Sequence, residues 1–72
     1  MELRAADGID VNNSGLDALT QLPWIGVTLA QRIVDFRNTH GPFDDLTTLM
    51  RIKGIGPKRF AQIQPRLYIF AR

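Results

Sequence analysis

Six positions of this chain recur at a spacing of thirty residues: Leu16, Leu19, Leu22, Ile25, Gly26 and Ile33 reappear as Leu46, Leu49, Ile52, Ile55, Gly56 and Ile63. A period of that size marks one supersecondary unit, and 72 residues hold two copies of it. Each copy sets an apolar residue and a glycine in a tight turn between two amphipathic stretches. In the second copy the turn reads Ile52-Lys53-Gly54-Ile55-Gly56-Pro57-Lys58-Arg59. A domain this small buries only about 60% of its unfolded surface, so its core is compact, its stability is modest and it has no room for a large internal active-site cavity.

Charge separates the two halves. Residues 1–45 carry three basic and seven acidic side chains, whereas residues 46–72 carry six basic ones (Arg51, Lys53, Lys58, Arg59, Arg66, Arg72) and no acidic one. A basic cluster is either a solvated face or an electrostatic footprint for a polyanion, and here it coincides with the second turn. The absence of cysteine excludes disulfides and thiolate metal sites. No apolar run approaches the ~18 residues of a membrane span, and Met1 to Ile9 does not read as a signal peptide, so the expectation is a chain soluble as given.

Residues 1–8 are polar and without periodicity and read as a disordered lead-in or expression remnant; residues 9–70 read as one domain, with repeats at about 14–40 and 44–70. Asn12-Asn13-Ser14 offers capping side chains for a first helix from about Gly15 to Gln21. The longest helix is expected from Val27 to Thr39, with Leu29, Ile33 and Phe36 on one face and Ala30 and Val34 beside them. Gly41 and Pro42 end it, and Phe43 docks into the core. Asp44 or Asp45 caps a third helix bearing Leu46, Leu49 and Met50. Pro57 opens a fourth, with Phe60 and Ile63 inward, and Pro65 ends that one. Leu67 to Phe70 either lies extended against Ile9 and Val11 or forms a last helical turn. The fold class is all-α, with four to five short helices and an internal pseudo-twofold repeat.

The second turn has the chemistry of an anion site. Gly54 and Gly56 can both take positive φ, which lets the chain reverse sharply with its amides open. Unpaired first-turn amides of the following helix point the same way. Lys53, Lys58 and Arg59 surround the turn and can pair with phosphate oxygens, contacts that give affinity without base information. A plain structural reading competes with this, in which Gly54 is a C-terminal cap and Pro57 a helix starter.

Leu-Pro-x-Ile-Gly in the first repeat, then Ala30-Gln31-x-Ile33, Arg37, Gly41-Pro42-Phe43, Leu46, Leu49 and Ile52 to Lys58, resemble the tandem helix-hairpin-helix domain of ComEA-type bacterial DNA-uptake proteins. The likeness runs from Ile9 to about Ile69 and includes Asp10-Val11-Asn12. It implies a domain whose two hairpins straddle the minor groove of duplex DNA, each binding one backbone phosphate without reading sequence. It further implies that hairpin carbonyls of the second copy can hold a monovalent cation, and that a bacterial membrane-associated or exported protein would carry its anchor outside this chain.

The first hairpin departs from the family pattern. It reads Trp24-Ile25-Gly26-Val27 where the family usually has Gly-hydrophobic-Gly-Pro, and Thr28 stands in the place of Lys58. Left-handed backbone is costly for Trp, so the first hairpin is the weaker phosphate site, with Gly26 and the Thr28 hydroxyl as donors and Arg32 one turn further on. The simpler expectation for Trp24 is that it folds over Pro23 and the neighbouring helix as partial core. The alternative is an exposed ring that stacks on a base or sugar, or anchors a protein partner. His40 reads as a helix C-terminal residue and Asp44-Asp45 as caps.

The turn is neither a dinucleotide fingerprint nor a nucleotide P-loop, and a glycosylase of this architecture needs a further domain to hold a flipped base, so no catalysis is expected of this chain alone. No cofactor and no small-molecule substrate are implied. The leading expectation is non-sequence-specific binding of double-stranded DNA, with Lys53, Gly54, Ile55, Gly56, Lys58 and Arg59 on one strand and Gly26 and Thr28 on the other. The alternative is a protein-interaction module that keeps the fold without DNA binding and docks through Trp24, Tyr68 and Phe70. A third reading is the DNA-anchoring end of a larger nuclease or uptake machine, with protein partners in that machine.

Overall fold

In the computed structural model, which describes residues 8–69, the thirty-residue repeat becomes a repeated core. Leu19 and Leu49, Leu22 and Ile52, Ile25 and Ile55, Ala30 and Phe60, and Ile33 and Ile63 are all buried, so five equivalent pairs from the two copies meet in one apolar interior. Val11, Phe43 and Leu67 complete it, with Leu29, Val34, Phe36 and Leu46 packed around the edge. Neither copy could bury its apolar stripe alone, which is the physical reason for the tandem arrangement.

The elements run in the order β1 (Ile9–Asp10), α1 (Leu16–Leu19), α2 (Val27–His40), a 3-10 helix (Leu46–Arg51), α3 (Pro57–Ile63), a second short 3-10 helix (Gln64–Arg66) and β2 (Leu67–Tyr68). The domain is mostly helical, as expected. The expected third helix is a 3-10 helix, in keeping with the low helix propensity of its adjacent β-branched Thr47 and Thr48. Asp45 caps it, its carboxylate accepting from the Thr47 amide and the Thr47 hydroxyl at 2.9 Å each. Helix α2 ends at Gly41, with φ of 90°, whose amide donates to Arg37 O. Pro57 is the first residue of α3. Pro65 cannot donate to Ala61 and would crowd its carbonyl, and α3 accordingly gives way to 3-10 geometry after Ile63.

Asn12, Asn13 and Ser14 do not cap α1. Gly15 is the N-cap and no side chain bonds to it. The Asp10 carboxylate instead gathers the turn, accepting from the Asn12 amide at 3.0 Å and from Asn13 Nδ2 at 2.6 Å. That frees the Asn12 side chain to clasp residue 43: its Oδ1 accepts from Phe43 N and its Nδ2 donates to Phe43 O. Arg37 Nη1 donates to Val11 O, so α2 holds the same segment.

Leu67 and Tyr68 are extended. They pair in parallel with Ile9 and Asp10, and Val11 N donates to Tyr68 O at 3.1 Å. This two-residue ladder ties the start of the first repeat to the end of the second. The bulk of the expected lead-in, residues 1–7, and Phe70 lie outside the described residues.

Candidate functional site

The two hairpins have the same backbone. Ile25 N donates to Leu22 O at 3.2 Å and Ile55 N to Ile52 O at 3.0 Å, each closing its turn. The residue before each of these isoleucines has positive φ, 64° at Trp24 and 101° at Gly54. The residue after them is an extended glycine, Gly26 with φ and ψ of −90° and −173° and Gly56 with −92° and −174°. These glycines are the N-caps of α2 and α3, whose first turns close with Ala30 N on Gly26 O and Phe60 N on Gly56 O. The amides of Val27, Thr28 and Leu29, and of Lys58 and Arg59, precede those bonds and have no intrahelical acceptor.

Three expectations are corrected by this geometry. Gly56 does not use positive φ; only Gly54 in that turn does. Ile55 is a buried core anchor whose amide is spent inside the turn, so it shapes the hairpin and offers no donor. Trp24 adopts the left-handed conformation that its side chain disfavours, and the first hairpin keeps its shape without a glycine there.

The glycines differ in what requires them. A Cβ on Gly54 would lie 2.6 Å from Leu29 Cδ2 and 3.3 Å from Arg32 Nη1, the ends of side chains that would have to shift, and its φ of 101° is what favours glycine most. A Cβ on Gly26 or Gly56 would meet nothing within 4 Å, and both have ordinary extended φ. Nothing inside the molecule excludes Ser or Asp there, which would cap the helices better. Glycine leaves the exposed amides uncovered.

Helix side chains from both repeats secure the second hairpin. Arg32 Nη1 donates to Lys53 O at 2.9 Å, and Arg59 Nη1 donates to Gly54 O at 2.8 Å. Arg32 therefore serves the second hairpin, contrary to its expected place beside the first. Arg59 is half-buried, with its Nε enclosed and unpartnered, so it is in part a structural strut. Lys53, Lys58 and Thr28 are exposed. Two of the turn's carbonyls thus already face a guanidinium. Among the described residues no group of His, Cys, Asp or Glu is arranged to hold a metal ion.

Trp24 is not partial core. It is 60% exposed, and Val27 beside it is 69% exposed. The ring borders a groove of about 460 Å³ whose other walls are Gly54, Gly56, Pro57, Lys58, Arg59 and Gln62, bringing the tip of the first hairpin against the second. Internal symmetry explains the space for it. Position 54 faces Leu29 and Arg32 of α2, and position 24 faces their counterparts Arg59 and Gln62 of α3. Arg59 is turned back onto Gly54 O and leaves room that Leu29 does not. Gln62 was missed in the sequence, although its i,i+4 spacing from Lys58 puts both on one face of α3.

The remaining candidates are structural. His40 sits over Phe36, ring centroids 4.2 Å apart, with Nδ1 3.3 Å from Phe36 O at the end of α2. The Thr47 amide and hydroxyl hold the Asp45 carboxyl below the usual carboxylate range. No described helix is long and apolar enough to cross a membrane.

A family model described as the helix-hairpin-helix motif matches residues 4–68. The transcriptional accessory protein Tex of Neisseria gonorrhoeae is 35% identical over 57 residues, 79% of this chain and 8% of that protein. Protein YhgF of Escherichia coli K12 is 33% identical over 57 residues, 79% of this chain and 7% of the relative. Human S1 RNA-binding domain-containing protein 1 is 33% identical over 55 residues, 76% and 6% respectively. The chain therefore spans less than a tenth of the length of these relatives. They are not ComEA-type proteins, and the family match is broader than that type.

Proposed function

This chain belongs to the helix-hairpin-helix family, and from that membership we propose that it binds double-stranded DNA through backbone phosphates without reading sequence. The observation that carries the reading is the pair of N-cap glycines, Gly26 and Gly56, which neither backbone conformation nor packing requires and which leave free amides bare at two matching hairpins. Amides and cations so placed favour phosphate. Lys53, Gly54, Gly56, Lys58 and, from its remaining guanidinium donors, Arg59 contact one strand. Gly26 and the Thr28 hydroxyl contact the other more weakly, since no cation stands at position 28. A monovalent cation at the second hairpin would have to use carbonyls other than Lys53 O and Gly54 O, which accept from Arg32 and Arg59. The chain works as a binding module and not as an enzyme.

Titration of a short labelled duplex of random sequence, followed by fluorescence anisotropy at several salt concentrations between roughly 50 and 200 mM, tests this reading. About three to five neutralised phosphates give a slope of about −3 to −4.5 in log K against log salt. Salt-independent binding, or none at the lowest salt, overturns it. One relative is named for an RNA-binding domain, so an RNA duplex of the same sequence is the control that separates DNA from nucleic acid in general. A role in DNA uptake rests on the ComEA-type likeness alone, and a role beside transcription on the Tex-type relatives; the proposed binding mode would serve either.

The exposed Trp24 and Val27 favour a second reading, a protein-docking module that retains the fold without DNA binding. Failure to bind any nucleic acid, with the fold intact, selects it.

A further inference from the structure

We infer that the groove between the hairpins receives an unpaired nucleotide, whose base stacks on Trp24, so that the module prefers DNA with an unstacked base to continuous duplex. This rests on the DNA-binding reading and narrows its substrate. Trp24 holds a left-handed backbone where its counterpart is glycine, yet the residue is 60% exposed, so the strain is not offset by burial in the core. The ring faces a groove bordered by Lys58 and Arg59 and by the Gln62 amide, with no acidic side chain in its walls. An aromatic face, two cations and an uncharged polar group match a base with its phosphate, and they do not match an apolar or basic protein segment. Continuous duplex offers this groove its backbone but no base, because a paired base hides its faces in the stack. A bulged or flipped base exposes one. Stacking tolerates every base, and preference among the four is therefore weak.

The test uses the whole chain, a short duplex, and the same duplex carrying one unpaired thymine. Trp24 is the only tryptophan, so its fluorescence reports on the groove directly. The bulged duplex is expected to bind about tenfold more tightly than the continuous one and to quench the indole, the lower part of the range for base stacking on an aromatic ring. Trp24→Gly restores the residue that the backbone favours; it should abolish the preference, so that the bulged and continuous duplexes bind this variant with equal affinity. Trp24→Phe keeps a ring on the original backbone and should retain part of the preference. Salt-dependent binding of both duplexes with equal affinity and an unquenched indole overturns this inference alone, and assigns the ring to a protein contact. Binding to neither duplex overturns the DNA reading as well.

Discussion

Residues 24 and 54 hold the same place in the two hairpins with opposite side chains. At 54 the neighbours are Leu29 and Arg32, close enough that even a methyl group collides. At 24 the neighbours leave a groove, and a full indole fits at the expense of backbone strain. The two sites should answer substitution in opposite ways. Gly54→Ala adds an unfavourable φ and pushes the tip of Leu29 aside, a loss of about 1–3 kcal/mol set chiefly by φ, which in so small a domain lowers Tm by about 5–15 °C. Trp24→Gly relieves a left-handed residue worth about 1–2 kcal/mol and loses about 0.5–1 kcal/mol to the freedom of glycine in the unfolded chain, so its net effect stays within about 1 kcal/mol. Thermal melts of the two variants check this. Comparable losses at both positions would mean that the indole is a structural support after all.

At the scale of elements, the sequence made the long helix and both turns legible because their signals are local. The apolar spacing of Leu29, Ile33 and Phe36, the stop at Gly41-Pro42 and the start at Pro57 all act within a turn or two. The short ends were harder to read. Asn12 looks like a cap, and its true partner is the backbone of Phe43, thirty-one residues away. Trp24 looks like core, yet it is exposed at a groove shared with α3, more than thirty residues away in sequence, a placement that no local pattern encodes. A cap was legible as Asp44 or Asp45, and Asp45, which fills it, carries a pH dependence. Its folded pKa lies below the ordinary 3.8, held down by the Thr47 amide first and the Thr47 hydroxyl second. The cap therefore adds stability that is fully present above the unfolded value and disappears as pH falls through the lower folded one. Asp45→Asn should lower Tm at neutral pH and flatten the acid side of the Tm profile below about pH 4, the range in which aspartates titrate. An unchanged profile would exclude Asp45 as a source of acid sensitivity.

For the molecule as a whole, shape and charge follow different symmetries. The core and the hairpin backbones repeat faithfully, so both copies present bare amides. The cations do not repeat: residues 46–72 hold six and residues 1–45 hold three among seven acids. A binder built this way grips one strand chiefly through the second hairpin, and its salt dependence should be traceable to individual side chains there. Lys53 and Lys58 are the clean places to ask, because both are exposed and neither side chain makes a hydrogen bond among the described residues. Arg59 is not, since removing it also strips Gly54 O of its donor. Lys53→Ala and Lys58→Ala should each weaken binding to all duplex sequences about equally and each reduce the salt slope by about 1, with little change in Tm. The reverse change belongs on the first hairpin, where Thr28→Lys places a cation at the position equivalent to Lys58 and should steepen the slope by about 1. Anisotropy titrations of the three variants at the same salt series measure these shifts. If Thr28→Lys leaves the slope unchanged while the two lysine deletions reduce it, the first hairpin lies away from the DNA backbone and the molecule grips DNA through one hairpin only.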